Sequence, residues 1–485
     1  MTALRRMTLI AFAALLTLPS AGLAAENRHS DNMSFVKNLR YAMPEKYGQS
    51  VPYGTDVEFA TIKGKRYAFA GSEMNGLQVV DITYPERANF VTTYDCAISQ
   101  GDTQVFKRRS STYVTYTNDY EANEVAASSR CYKDSDKRFD SIDEEGNARL
   151  GTMILDVTNP RSPKVVSFVS FPRGSHNMTV HPSGKYLYNS NSDLVIDATL
   201  PAIEIVDISN LAKPVQTAAV SLTPLPGLGA DSHDITFNEE GTRAYSAAVS
   251  HGVILDTTNP ANPTVISEFD DEAINVWHQA DPVTIAGRDF LLVEDEVAGA
   301  AGPAVCPTGG VHVFDISDEK MPVKVGYWNI DDIAARDALD TCTAHVFDIH
   351  EDEQIMTIAY YMGGVRVLDL SGLADLPISV GQGETEIPGA IRQIGHYVFT
   401  DSNSWSAKTP YIEPDGDFYL YSDDINRGLD IFRFKASAAP STNAGTFMSA
   451  AAAQRSGLGL PNLTRRSAKK QTGGFLCLLK RVDRS

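Results

Sequence analysis

The feature that most constrains this chain is a short segment that occurs seven times along it. The first copy is GLQVVDITYPERANFV, and the later copies repeat its order of a small or apolar residue, a β-branched strand and a closing aspartate. The closing positions are Asp81, Asp156, Asp207, Asp256, Asp315 and Asp369, with Arg433 in the seventh copy. Two copies, at Asp156 and Asp256, continue as Asp-x-Thr-Asn-Pro, which predicts a turn, because the carboxylate accepts local backbone N–H bonds and proline presets φ.

The spacing of these copies predicts an all-β fold, a seven-bladed β-propeller with four-stranded blades. A repeat of about 50 residues with about four short strands per unit is typical of propellers. The apolar residues alternate with a period of two, as in Val311 and Val313, and show no helical period. We expect the propeller to span residues 33–436, with the N-terminal strand NMSFVKNLRYAM closing the ring beside GLDIFRF. Residues 437–485 are rich in Ala, Ser and Gly, which predicts a disordered tail.

The repeats resemble those of the LVIVD-repeat family, whose name is nearly spelled by IEIVDIS and GLQVVDIT. The resemblance covers about Met33 to Phe434. It implies a propeller on cell surfaces or in exported proteins, and it implies no particular activity. The function must therefore be inferred from candidate sites.

The N-terminal segment and the net charge indicate where the protein is located and which partners it is unsuited to bind. Residues 1–24 combine Arg5 and Arg6 with a short apolar run and small residues near Ala24, which predicts a secretory signal peptide and a periplasmic or extracellular protein. No later segment is long and apolar enough to predict a transmembrane helix. The formal net charge of −19 argues against nucleic acid as a partner, because binding phosphates requires a basic face.

Four of the five cysteines lie in the repeat region and can pair in an oxidising compartment. We predict the disulfides Cys96–Cys131 and Cys306–Cys342, each fixing a loop on one face of the ring, although other pairings are open. Cys477 is left over.

A set of histidines occupies equivalent positions at the start of the first strand of several blades. Alignment of the inner hairpins on their turn glycine, with small adjustments in two blades, places histidine at this position in four blades and aspartate in two. The residues are His176, His233, His278, His345, Asp56 and Asp102. Blade 7 departs from the pattern and offers Lys408 or Trp405. First strands line the central channel of a propeller, so these side chains are expected to converge at one of its mouths.

The four histidines predict a transition-metal site, because neutral imidazole binds zinc, copper, iron and manganese well. Asp56 and Asp102 are candidate ligands, orienting groups or bases, and Glu294 and His251 are the preferred acid or base candidates at strand ends on the same face. The long insertions also fall on loops of that face, where rigid scaffolds usually carry binding and catalysis. The expected ligand is therefore a small molecule at the channel mouth.

The leading hypothesis is an exported metalloenzyme, either an oxidoreductase or a metal-assisted hydrolase or lyase. At the level of architecture the ring resembles propellers that hold metals with channel histidines, including copper-dependent methanethiol oxidases of the selenium-binding family. The alternative is a cell-surface or periplasmic binding or adhesion module in which the histidines are structural, as the shared histidine is in WD-type propellers.

Overall fold

The protein is a seven-bladed β-propeller in which every blade is an antiparallel sheet of at least four strands. The structure, a computed structural model, describes residues 27–42, 47–48, 50–192, 201–223, 231–296, 309–331, 342–376, 390–437 and 446–449. The predicted signal peptide, Cys306 and Cys477 lie outside these residues. Among the described residues, no helix has the length and apolar character needed to cross a membrane.

The strands follow the chain blade by blade. Two strands precede the blades, namely β1 (Arg28–His29) and β2 (Met33–Leu39). Blades 1 and 2 contain β3 (Gly54–Ile62), β4 (Lys65–Ser72), β5 (Leu77–Asp81), β6 (Asn89–Tyr94), β7 (Thr103–Arg108), β8 (Ser111–Asn118), β9 (Gly151–Asp156) and β10 (Lys164–Ser170). Blades 3 and 4 contain β11 (Asn177–Val180), β12 (Tyr186–Ser190), β13 (Ile203–Asp207), β14 (Val215–Val220), β15 (Asp234–Phe237), β16 (Arg243–Ala247), β17 (Gly252–Asp256) and β18 (Thr264–Phe269).

The remaining blades complete the ring. Blades 5 and 6 contain β19 (Trp277–Ile285), β20 (Arg288–Asp295), β21 (Gly310–Asp315), β22 (Val323–Asn329), β23 (His345–His350), β24 (Ile355–Ala359), β25 (Val365–Asp369) and β26 (Arg392–Val398). Blade 7 contains β27 (Ser404–Lys408), β28 (Phe418–Asp424) and β29 (Gly428–Phe434). The last described strand is β30 (Thr446–Ser449).

The N-terminal strand closes the ring, as the sequence predicts. Strand β2 pairs with β29 in antiparallel register from Met33 opposite Phe434 to Leu39 opposite Leu429, and it supplies the fourth strand of blade 7. Because β29 is thereby covered, blade 7 gains a partner from the other end of the chain.

Two further strands extend the outer edges of blades in ways that the sequence analysis did not predict. Strand β1 pairs with β26 of blade 6, and β30 pairs with β22 of blade 5. Strand β30 lies in the segment for which the sequence predicts a disordered tail, and the rest of that segment after residue 437 lies outside the described residues. An outer edge presents unpaired backbone N–H and C=O groups, which a short strand of almost any composition can satisfy.

The turns that follow the third strands form as expected. In each of six blades the closing aspartate accepts a hydrogen bond from the backbone N–H two residues later, at 3.0 Å for Asp81 to Thr83 and 2.8 Å for Asp369 to Ser371. Arg433 replaces this contact in blade 7 by binding Asp417 at 3.0 Å. The recurring aspartate is therefore explained by turn structure and needs no role in binding.

Apolar side chains pack between neighbouring blades. One cluster joins Leu292 and Val313 of blade 5 to Phe347 and Ile358 of blade 6, and all four are buried. Third strands are buried along their length, as in Leu77–Asp81, because both faces of each sheet contact an adjacent sheet. The ring is therefore a continuous series of inter-blade cores, and the first strands are left to line the central channel.

The cysteines and insertions were expected to lie on one face. Cys96 and Cys131 form a disulfide that ties helix α2 (Arg130–Phe139), in the insertion of blade 2, to the end of blade 1, as predicted. A one-turn helix, α1 (Glu124–Ala127), precedes it. Cys342 is disulfide-bonded to a partner outside the described residues, so its pairing with Cys306 stays a prediction. The insertions of blades 5 and 6 also lie largely outside these residues.

Candidate metal centre

The four histidines predicted from the sequence lie side by side in the centre of the ring. The ring centroids are 4.5 Å apart for His176 and His233, 3.9 Å for His233 and His278, and 4.4 Å for His278 and His345. Each imidazole is at most 2% exposed. Residues from blades 3, 4, 5 and 6 thus form one buried row, because each stands at the start of the first strand of its blade.

Two of these histidines are oriented by the backbone of the next blade. His233 Nδ1 lies 3.0 Å from the carbonyl oxygen of His278, and His345 Nδ1 lies 2.6 Å from that of Trp405. A carbonyl oxygen only accepts hydrogen bonds, so each Nδ1 carries the proton and each Nε2 is the unprotonated ring nitrogen. Hydrogen bonds of this kind commonly orient the histidine ligands of metals.

His278 lies between two buried carboxylates of blade 5. Its Nδ1 is 2.6 Å from Glu294 Oε2 and its Nε2 is 3.6 Å from Glu296 Oε2, and neither contact has the geometry of a hydrogen bond. Both carboxylates have no exposed surface. Within the described part of the chain, neither forms an ion pair with lysine or arginine.

Glu296 is held in place by Tyr361 of blade 6. The Tyr361 hydroxyl donates a hydrogen bond of 2.6 Å to Glu296 Oε1, which leaves Oε2 without a hydrogen-bond partner among the described residues. Tyr361 has a left-handed backbone (φ 43°), and its N–H donates to the Ser404 carbonyl across the blade boundary. Strained backbone of this kind is concentrated at functional sites.

His233, His278 and Glu296 form a group that fits a metal ion. One donor atom from each lies within 4.8 Å of the others, and all three residues are buried. His278 Nε2, His345 Nε2 and Glu296 Oε2 make no hydrogen bond within the described structure, although buried polar atoms are usually satisfied. Two imidazole nitrogens and a carboxylate oxygen are donors that zinc and other transition metals accept.

His176 belongs to the row but is engaged on both nitrogens. Its Nδ1 is 2.8 Å from Asp119 Oδ2 and its Nε2 is 3.2 Å from Gln100 Nε2. These contacts satisfy both ring nitrogens. His176 is therefore not in the group formed by His233, His278 and Glu296, and the four-histidine metal site stays a prediction.

Burial determines the protonation of this centre. It lowers the pKa of His233 and His278 well below the usual value and that of His345 to about 3, so these imidazoles are neutral at pH 7. Burial also raises the pKa of Glu294 well above its usual range, helped by Glu296, and raises that of Glu296 to about 7. Among the described residues, no lysine or arginine pairs with either carboxylate to stabilise its charge.

A cavity of about 190 Å³ leads to the centre through the channel, and the predicted aspartates line it together with His233, His278 and His345. Asp56 binds the ammonium group of Lys408 at 2.8 Å. Asp102 accepts a hydrogen bond from the backbone N–H of Met178 at 3.3 Å. Both face the cavity that serves the centre, and no contact under 4 Å joins either to an imidazole in the described structure.

His251 lies apart from the other predicted residues. Its Nε2 is 3.2 Å from Glu268 Oε2 and its Nδ1 is 2.9 Å from the Ser250 hydroxyl. It is absent from the lining of the channel cavity, whereas Glu294 contacts His278 directly. The difference arises because His251 precedes a third strand, and third strands lie farther from the axis.

The sequence pattern singled out Glu294 but not Glu296, Tyr361 or Gln100. Glu294 and Glu296 are two residues apart in Glu-Asp-Glu at the end of β20, and this spacing puts both on one face of a strand. No comparable pattern marks Tyr361 or Gln100, which reach the centre from loops of other blades.

Two segments of this chain match a model of a known repeat family. The family model for the LVIVD repeat matches residues 61–96 and 176–220, and the second match begins at His176. This chain is a β-propeller that contains LVIVD repeats. A search of curated proteins gives no match. Among solved structures, the LVIVD-repeat propeller is similar to the β-propeller domain of Cps50 (Swd1) from Myceliophteria thermophila, with 10% identity, a TM-score of 0.48, and coverage of 79% of this chain and 97% of that domain.

Proposed function

We propose that this LVIVD-repeat propeller is a metalloprotein that holds one transition-metal ion with His233, His278 and Glu296, and that His345 completes the donor set. The observation that carries the proposal is the convergence of buried donor atoms from blades 4, 5 and 6. Of these, His278 Nε2, His345 Nε2 and Glu296 Oε2 lack hydrogen-bond partners among the described residues. Burying unpaired polar atoms is costly, and a bound cation would offset that cost.

The donor chemistry favours zinc, copper, iron or manganese. His233 and His345 donate their Nδ1 protons to carbonyl oxygens, so each can bind a metal through the lone pair of Nε2. Nitrogen ligands of this kind suit these four ions better than calcium, which prefers oxygen ligands. Affinity alone does not select among the four metals, so the metal must be identified by elemental analysis.

We further propose that the protein is a metalloenzyme acting on a small molecule in the channel cavity. A transition metal in this centre would supply Lewis-acid or redox chemistry, which leaves both oxidation and metal-assisted hydrolysis or elimination open. Glu294 contacts His278, and burial raises its pKa well above the usual range, so Glu294 is the preferred acid or base candidate. Asp56 and Asp102 line the same cavity and would bind or orient the small molecule.

Export to the periplasm or the extracellular space belongs to the same proposal. The Cys96–Cys131 disulfide supports it, because disulfides persist mainly in oxidising compartments. The apolar N-terminal segment is the expected signal peptide. Mass spectrometry of the mature N-terminus from the native host tests this directly, and an uncleaved N-terminus in a cytosolic fraction would contradict it.

Elemental analysis of the purified protein tests the metal centre. We expect near-stoichiometric transition metal in the wild type and less than about a tenth of an equivalent in a His278→Ala/Glu296→Gln variant, because two of the ligands are lost. His29→Ala, at an exposed histidine, is the matched control and should keep the metal. A wild-type protein without metal that takes none up on dialysis would refute the proposal.

A second candidate is a binding or adhesion module whose histidines are structural. The observation that favours it is that His233 and His345 each bond to the carbonyl of the equivalent position in the next blade, which ties blades together. In that case the double variant above would lower stability while the wild type holds no metal. Elemental analysis combined with thermal unfolding of the same samples separates the two functions.

A further inference from the structure

The channel below the metal centre is lined by carboxylates from five blades. These are Asp56, Glu58, Asp102, Asp234, Asp281 and Asp348. Lys408 is the only lysine or arginine among the described residues that line this cavity. Its ammonium group binds Asp56 and Glu58, each at 2.8 Å, so it offsets part of the negative charge and leaves the rest uncompensated.

The electrostatics of these carboxylates indicate a shared negative field. Burial raises the pKa of Asp102 well above its usual range, and Asp56 and Asp234 raise it further. Burial likewise raises the pKa of Asp281 to about 6. The carboxylates repel one another when they are ionised, and a mobile cation in the channel would be attracted to the ionised ones.

A much larger acidic depression adjoins the channel. It has a volume of about 1460 Å³ and lies over the hairpin turns of blades 4, 5 and 6. Its acidic residues include Glu239, Glu240, Asp318, Glu351, Asp352 and Glu353. The depression and the channel cavity share Thr236, Asp281 and Asp348 in their linings, and these three residues define a neck between them.

The inner end of the channel cavity reaches donor atoms without hydrogen bonds. His278 and His345 line the cavity, are buried, and have Nε2 atoms that make no hydrogen bond in the described structure. A volume of about 190 Å³ holds several water molecules, since one water needs only about 10–15 Å³ of such space. A small hydrated ion therefore fits between the neck and the imidazoles.

We propose that a divalent metal ion reaches the His/Glu centre through this channel, from the acidic depression and past the neck formed by Thr236, Asp281 and Asp348. This inference rests on the proposed metal centre and assigns its loading route. Clefts lined by one sign of charge focus the field and raise association rates of oppositely charged ligands by about 10- to 1000-fold. Lys408 moderates that field because it is the one cationic side chain facing the described cavity.

Stopped-flow absorption of Co²⁺ binding to the full-length, chelator-treated protein tests the route. Asp281→Asn/Asp348→Asn removes two charges at the neck without changing side-chain size much, and we expect the Co²⁺ association rate to fall about tenfold at low ionic strength. The amount of Co²⁺ bound at equilibrium should stay at the wild-type level. Glu144→Gln/Glu145→Gln, at exposed positions outside the route, removes the same number of charges and should leave the rate unchanged.

Lys408→Gln is a second variant, for which the opposite effect is expected, so the test does not depend on correct folding of the neck variant. Lys408→Gln makes the channel more negative, so Co²⁺ should associate faster than in the wild type. Wild-type rates in both the neck variant and Lys408→Gln, with Co²⁺ still bound, would overturn the route and leave the metal centre intact. Failure of the wild type to bind Co²⁺ at all would overturn the metal centre and the route together.

Discussion

An imidazole that donates its Nδ1 proton to a carbonyl can bind a metal only through Nε2. His233 and His345 are both fixed in this way by backbone atoms of the next blade. The direction of their lone pairs is therefore set by the packing of blades, and not by flexible side-chain partners. At the scale of single residues, the centre is preorganised.

Tyr361 is a positioning residue of this centre, because its hydroxyl fixes one oxygen of Glu296 at 2.6 Å. We expect Tyr361→Phe to weaken metal binding about 10- to 100-fold, the usual effect of losing a group that orients a ligand. The metal dissociation constant, measured by competition with a chelator, checks this. Tyr113→Phe in blade 2 is the control, and equal affinities in the two variants would contradict the assignment.

His312 makes the stability of the fold depend on pH. Burial, assisted by Lys324, lowers its pKa to about 4, so the folded protein holds it neutral while the unfolded chain protonates it near pH 6.5. The stability that depends on the neutral His312 imidazole is thus fully present above pH 6.5. As the pH falls towards 4, the free energy of unfolding decreases by up to about 3 kcal/mol. Urea unfolding at pH 7 and pH 4.5 should show a smaller loss for His312→Gln than for the wild type. The same loss in both proteins would contradict this, and His29→Gln should behave as the wild type.

At the scale of the element, the third strand of each blade must start very close to its neighbour. Gly76 precedes β5 with φ +85°, and a Cβ atom there would lie 2.2 Å from the Tyr94 carbonyl oxygen. Gly64, in the first hairpin of the same blade, has a similar φ of +79° but open space around its Cβ position. The two glycines therefore separate the cost of a positive φ from that of a steric clash.

We expect Gly64→Ala to lower the free energy of unfolding by about 1–2 kcal/mol, the cost of a left-handed backbone with a side chain. Gly76→Ala should cost about 1–3 kcal/mol more, because the backbone of β6 must also move. Chemical denaturation of both variants checks the difference. Equal losses of unfolding free energy in the two variants would contradict this, because they would show that the backbone of β6 moves without an energetic cost.

At the scale of the whole molecule, closure by β2 converts an open array of sheets into a ring. Met33 and Leu39 are buried against blade 7, and each fully buried side chain of this size stabilises the fold by roughly 1.5–3 kcal/mol. Closure also holds blade 7 beside blade 1, and thus fixes Lys408 against Asp56 in the channel.

Deletion of residues 27–40 should therefore lower the unfolding midpoint strongly and broaden the transition, since blade 7 keeps only three strands. Deletion of residues 27–31 removes β1 alone, which adds two residues to an outer edge, and should have a small effect. Circular dichroism melts of the two proteins check this prediction. Similar unfolding midpoints for the two proteins would contradict it, because they would show that the N-terminal strand is not needed to keep the ring closed.

The sequence by itself determined the architecture and most of the histidine row. Blade number, strand alternation, the aspartate turns and the N-terminal closure all follow from local patterns that repeat, and equivalent positions in a repeat occupy equivalent places in the ring. The Cys96–Cys131 pair was predicted for the same reason, because both cysteines fall on loops of one face.

The tertiary structure decided which of these residues have donor atoms available. His176 is engaged by Asp119 and Gln100, whereas Glu296, held by Tyr361, lies beside His233 and His278 in the proposed donor set. These contacts join residues from loops of different blades, whose side-chain directions depend on packing and carry no sequence period. The same reason explains why the added strands β1 and β30 and the acidic neck were visible only in three dimensions.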